Sequence, residues 1–86
     1  MISTAITVTS TATLLVASTP TATRTIWLEA VGNDLHIGGS NVTTSTGLTI
    51  KNGEKLSFEL PPLNSLYAIV NTGSHTCIVL KPSGDY

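Results

Sequence analysis

Apolar and polar side chains alternate along most of this chain with a period of two, and turn-forming residues interrupt the alternation roughly every eight positions. From Ile6 to Val16 the even positions are Ile6, Val8, Ser10, Ala12, Leu14 and Val16, while Thr7, Thr9, Thr11 and Thr13 occupy odd ones. This pattern predicts a strand with the even side inward, interrupted near Ser10-Thr11 and ended by Ser18-Thr19-Pro20, since proline cannot donate to a ladder. A second strand, Arg24 to Val31, puts Ile26, Leu28 and Ala30 on one face and Thr25, Trp27 and Glu29 on the other. Gly32-Asn33-Asp34 then turns the chain. Asp34 to Ile37 follows, with Leu35 and Ile37 inward and His36 outward, and leads into Gly38-Gly39.

The second half reads the same way. Gly47 to Ile50 is a short strand, and Asn52-Gly53 is the strongest tight-turn signal in the chain. Lys55 to Leu60 alternates with Leu56, Phe58 and Leu60 inward, and Pro61-Pro62 stops it. Leu66 to Val70 and Cys77 to Leu80 are apolar throughout, which predicts strands covered on both faces. Asn71 to Ser74 turns the chain between them, and His75 falls in that turn. Thr, Val and Ile dominate, their branched Cβ favours the pleated sheet, and no helical periodicity accumulates. The expected fold is all-β: a small antiparallel β-sandwich or jelly-roll-like barrel of about seven to nine short strands. Residues 11–86 form its single domain, and residues 1–10 are an extended arm or first strand. An uncharged, Thr-rich arm of this kind can add itself to a neighbouring sheet.

Composition sharpens the picture. A chain of 86 residues buries only about 60–65% of its unfolded surface, so its core is marginal on its own. Cys77 is the only cysteine, so no intrachain disulfide adds to it. Cys77, His36 and His75 lack the spacing and the fourth ligand of a structural zinc site. Oligomerisation is the remaining compensation. Charged residues make up only 10% of the chain, against about 25% in an ordinary domain. Charge-poor surfaces of Thr, Ser and Asn suit contact with other proteins. A net charge of −1 with scattered basic residues argues against nucleic acid. No stretch approaches the roughly 20 apolar residues that span a bilayer. No Lys or Arg precedes the apolar part of the N-terminal stretch, and ATLLVA is too short for a signal core, so the expectation is a soluble, untargeted, cytoplasmically made protein.

Candidate chemistry is thin. The stretch HIGGSNVTTSTG, residues 36–47, has a histidine, paired glycines and many hydroxyls, but it lies between strands and has no Walker lysine. It reads as a corner in which Gly38 and Gly39 supply positive φ, with Gly47, Asn52 and Gly53 as further fold-determining positions. His36 has no serine or cysteine at an interpretable spacing, and Asp34 on its face is a plausible salt partner. The carboxylates Glu29, Asp34, Glu54, Glu59 and Asp85 fall on wet faces or in turns, without the cleft that a catalytic pair needs. The expectation is no enzyme and no cofactor. Trp27 is the better clue, because it alternates onto the face that should be wet, where it stacks on a sugar or anchors a protein contact unless the monomer itself covers that face. The contact candidates are Ile2, Ile6, Val8, Trp27, His36 and Tyr86.

The succession ATLLVASTPTATRTIWLEAVGNDLHIGGSNVTTSTGLTIKNGEKLSFELPP, followed by SLYAIVNTGSHTCIVL, resembles short β-rich virion proteins of tailed phages over residues 12–80. The Ala-Thr-Leu-Leu-Val strand, the Ile-Gly-Gly-Ser-x-Val-Thr corner and the Leu-Tyr-Ala-Ile strand carry the likeness. It implies a capsid decoration (cement) protein that binds the outer shell as a homotrimer, stabilises contacts between major capsid subunits and resides in the virion. A tail, baseplate or fibre module is the alternative, and a carbohydrate-binding module using Trp27 is a third. The resemblance implies no catalytic residues.

Overall fold

Eight strands follow one another in a computed structural model that describes residues 2–20 and 23–81. They are β1 (Ile2–Thr9), β2 (Thr13–Val16), β3 (Arg24–Val31), β4 (Leu35–Gly38), β5 (Leu48–Ile50), β6 (Lys55–Leu60), β7 (Leu66–Ile69) and β8 (Ser74–Lys81). They form two four-stranded antiparallel sheets, ordered β1-β8-β3-β6 and β2-β7-β4-β5.

The pairing follows a simple rule. β1 pairs with β8, β2 with β7, β3 with β6 and β4 with β5, as in one long hairpin. Two further ladders, β3 with β8 and β4 with β7, roll that hairpin into two layers. This is a jelly-roll β-sandwich. Every odd strand passes to the next even one across the layers, so the four arches at 10–12, 32–34, 51–54 and 70–73 gather at one end.

The arches at 32–34 and 51–54 are clasped together by polar groups that the turns would otherwise leave unpaired. The Asn52 amide donates to Asp34 Oδ1 (2.8 Å), and the Gly32 amide donates to Asn52 Oδ1 (3.1 Å). Gly53, at φ 82°, and Gly32, at φ 100°, take left-handed conformations that a side chain would strain. Asn52-Gly53 therefore turns the chain from one sheet to the other.

The core fills from both inner faces. Ile26, Leu28, Ala30, Cys77 and Val79 come from the first sheet; Leu35, Ile37, Leu66, Ala68 and Ile50 come from the second. The alternation in Arg24–Val31 and Leu35–Ile37 runs as its sequence predicts.

Three expectations are corrected. Leu14 does not face inward: it is 45% exposed, whereas Leu15 is 5% exposed. The β2–β7 register shifts between Leu14 and Val16, and this bulge moves the inward phase by one residue. Ser74 and His75 belong to β8 rather than to a turn, because β1 pairs with β8 along its whole length. The apolar run in β8 is not covered on both sides. Cys77 and Val79 point into the core, while Ile78 and Leu80 stand half-buried on the outer face.

Candidate functional face

The outer face of the first sheet is built by register. Trp27 of β3 sits opposite Leu80 of β8 on one side and Ser57 of β6 on the other. One rung along, Glu29 sits between Ile78 and Lys55. On β1, Ser3 lies opposite Leu80 and Ala5 opposite Ile78. Trp27 therefore joins an apolar strip with Leu80 and Ile78 across β3 and β8, and alternation places these side chains on the side away from the core.

No described element covers this strip. Trp27 is 40% exposed and lines an open depression of about 340 Å³ with Glu29, Lys55, Ser57, Ile78 and Leu80. Lys55 Nζ and Glu29 Oε2 form an ion pair at 3.2 Å along one border. The depression presents an indole, two aliphatic side chains and one neutralised charge pair. Such a surface can hold an apolar or flat ligand, or seat another protein.

The remaining contact candidates are scattered. His36 lies on the outer face of the other sheet, where its Nδ1 is 3.0 Å from Thr49 Oγ1. Asp34 is not its salt partner; that carboxylate receives the Asn52 amide and lies 3.8 Å from Lys51 Nζ. Val8 is buried and Ile6 is half-buried against the core, because β1 carries both on its inner face. Ile2 remains 43% exposed. Tyr86 and Asp85 lie outside the described residues. Among the described residues, no group of three or more His, Cys, Asp or Glu side chains could hold a metal.

The stretch from His36 to Gly47 is a packed cover over the second sheet. Neither Gly38 nor Gly39 has a positive φ, which corrects the reason for their presence. Space decides instead at Gly38 and at Gly47. The loop folds back so that Val42, 6% exposed, sits against Gly38 and Gly47. A Cβ on Gly47 would lie 2.7 Å from His36 Cβ and 2.9 Å from Val42 Cγ2. The hydroxyls satisfy the turn: Thr43 Oγ1 accepts from the Thr46 amide (3.1 Å), and Thr46 Oγ1 accepts from the Thr43 amide (3.1 Å). These hydroxyls are spent on the loop's own backbone, with no ligand needed to order it.

Two members of the apolar strip, Ile78 and Leu80, cannot be assigned a face from sequence because they lie in the unbroken apolar run Cys77 to Leu80. Only their register against Trp27 and Glu29 shows which of them face outward.

No known protein family matches the chain, and no similar characterised protein or similar solved structure was found.

Proposed function

We propose that this chain is a non-enzymatic structural protein of a phage virion, a capsid decoration protein that docks on the outer shell through the outer face of β1-β8-β3-β6. One observation carries the reading: the outward-facing strip of exposed Trp27 and half-buried Ile78 and Leu80 on a protein with only 10% charged residues. Tryptophan is enriched at interface hot spots, and the Glu29–Lys55 pair supplies a polar rim. The phage-like succession over residues 12–80 and the jelly-roll layers agree with this reading; the fold by itself assigns no function.

The mechanism is linkage. A protein that binds the assembled lattice better than free capsid subunits stabilises the lattice by mass action, and each occupied site adds its share. The docking unit is a homo-oligomer, since a core this small gains from added burial. Co-sedimentation with shells of the parent particle that lack the protein tests the proposal. Saturable binding that Trp27→Ala weakens supports it; shells that sediment without the protein contradict it. Immunolabelling at the tail in place of the shell would transfer the same face to a tail or baseplate role.

A second reading, glycan binding, draws on the polar groups of Glu29, Lys55 and Ser57 around the indole. Glycan-array binding that Trp27→Ala abolishes supports it, and a silent array counts against it.

A further inference from the structure

Four strand edges end the two sheets: β1 and β6 on the first, β2 and β5 on the second. Edges invite pairing with other chains, and proteins protect them with charge, bulges, proline or brevity. Three of these edges are protected. β5 has three residues, and β2 has four with a bulge at Leu15. β6 carries Lys55 and Glu59 and runs into Pro61-Pro62.

β1 has no such protection. It is eight residues long, pairs with β8 without a register shift, and contains no charge, proline or glycine. Its first four residues, Ile2 to Ala5, are exposed on both faces, because the facing strand β2 is half its length. One ladder to β8 is all the pairing this strand has among the described residues.

We propose that β1 is a self-association site that pairs antiparallel with β1 of a second copy, joining two four-stranded sheets into one of eight strands. The occupant is argued from self-complementarity. In a two-fold contact, residue i meets residue j and j meets i, so only a residue at or beside the axis meets its own copy, and a charge there would repel. β1 carries none. Phase narrows the register further. Ile6 and Val8 face the core, so a continuous sheet must set even residues opposite even and odd opposite odd. The two registers of greatest overlap then span residues 2–8, with Ala5 opposite its counterpart, or 3–9, with Ile6 opposite its counterpart. The first sets exposed Ile2 against Val8 of the second copy, and the second stacks the two Ile6 side chains.

This contact is isologous and closes as a dimer, whereas the phage resemblance implies a trimer. A single strand edge buries less than the roughly 800 Å² per partner of a standard interface, which places the contact among the small, reversible ones. The proposal is independent of shell docking, because Trp27 lies two strands from β1.

Sedimentation velocity over a concentration series tests it. The wild type shows a monomer–dimer equilibrium. Ala5→Lys and Ala5→Glu, at an exposed position, each weaken association by about tenfold or more, through like charges placed opposite or diagonal to each other. Mixing the two variants in equal amounts restores a dimer. Monomer at every concentration, a trimer, or Ala5 variants that associate like the wild type would overturn the proposal. Trp27→Ala that loses shell binding but still dimerises keeps the two readings apart.

Discussion

Val42 and Gly47 lock the loop between β4 and β5 onto the sheet beneath it: the valine methyl occupies the space that any side chain at residue 47 would need. The contact continues to Gly38, where an added Cβ would lie 3.0 Å from the same methyl. At Gly39 the nearest obstacle is Asn41 Oδ1 at 3.4 Å, which is ordinary contact.

A graded series follows. Gly47→Ala meets the His36 Cβ and backbone, which cannot swing away, as well as Val42, and costs about 1–3 kcal/mol. Gly38→Ala costs less, since Val42 alone has to give. Gly39→Ala is neutral within about 0.5 kcal/mol. Urea unfolding midpoints of the three variants check the order. Equal losses at 39 and 47 would contradict the packing account.

The bulge in β2 separates two adjacent leucines. Leu15→Ala empties a core position and destabilises by about 2–4 kcal/mol, whereas Leu14→Ala on the outer face costs under about 1 kcal/mol. Thermal or chemical unfolding of the pair measures this. The opposite ranking would restore the simple even-residue phase.

Cys77 reports on the core. Burial pushes its thiol up to about 11, and a backbone hydrogen bond at Glu29 offsets only part of that. In the unfolded chain the thiol ionises near pH ~8.5. Between those values the unfolded state has lost the proton and the folded state retains it. Stability is therefore lost as pH rises from about 9 to about 11, on the order of 1 kcal/mol per pH unit from this group. Cys77→Ala removes that component, so the wild type declines more steeply than the variant across this window. Parallel declines would contradict the assignment. In the native state below pH 9 the thiol also resists alkylation until the protein unfolds.

Much of the architecture could be read from residue alternation, because a half-buried strand writes its two faces at successive positions. Trp27 was legible in this way: its neighbours Ile26 and Leu28 point inward, so it points out. Phase was lost where alternation was lost. At Leu14-Leu15-Val16 three apolar residues in a row conceal the bulge, and at Cys77 to Leu80 an unbroken apolar run conceals the outer face. Val42 sits in a run of Thr, Ser and Asn, and nothing nearby in sequence marks it as buried; its partners, Gly38 and Gly47, meet it only once the loop folds back. The openness of β1 is likewise a property of topology, since it depends on which strands end each sheet.

The docking account predicts that reducing the hydrophobic area of the face weakens shell binding without unfolding the protein. Trp27→Ala removes a side chain that is 40% exposed, and its stability cost is correspondingly smaller than for a core aromatic. Far-UV circular dichroism of the variant stays native while shell affinity falls at least about tenfold, the usual hot-spot loss.

The most direct measurement is a cryo-EM reconstruction of shells decorated with the protein, at a resolution that separates the two sheets. The account predicts the β1-β8-β3-β6 sheet facing the shell, with Trp27, Ile78 and Leu80 buried at the joint between capsid subunits. Density that places β2-β7-β4-β5 or the 39–47 loop against the shell, with Trp27 open to solvent, would contradict it.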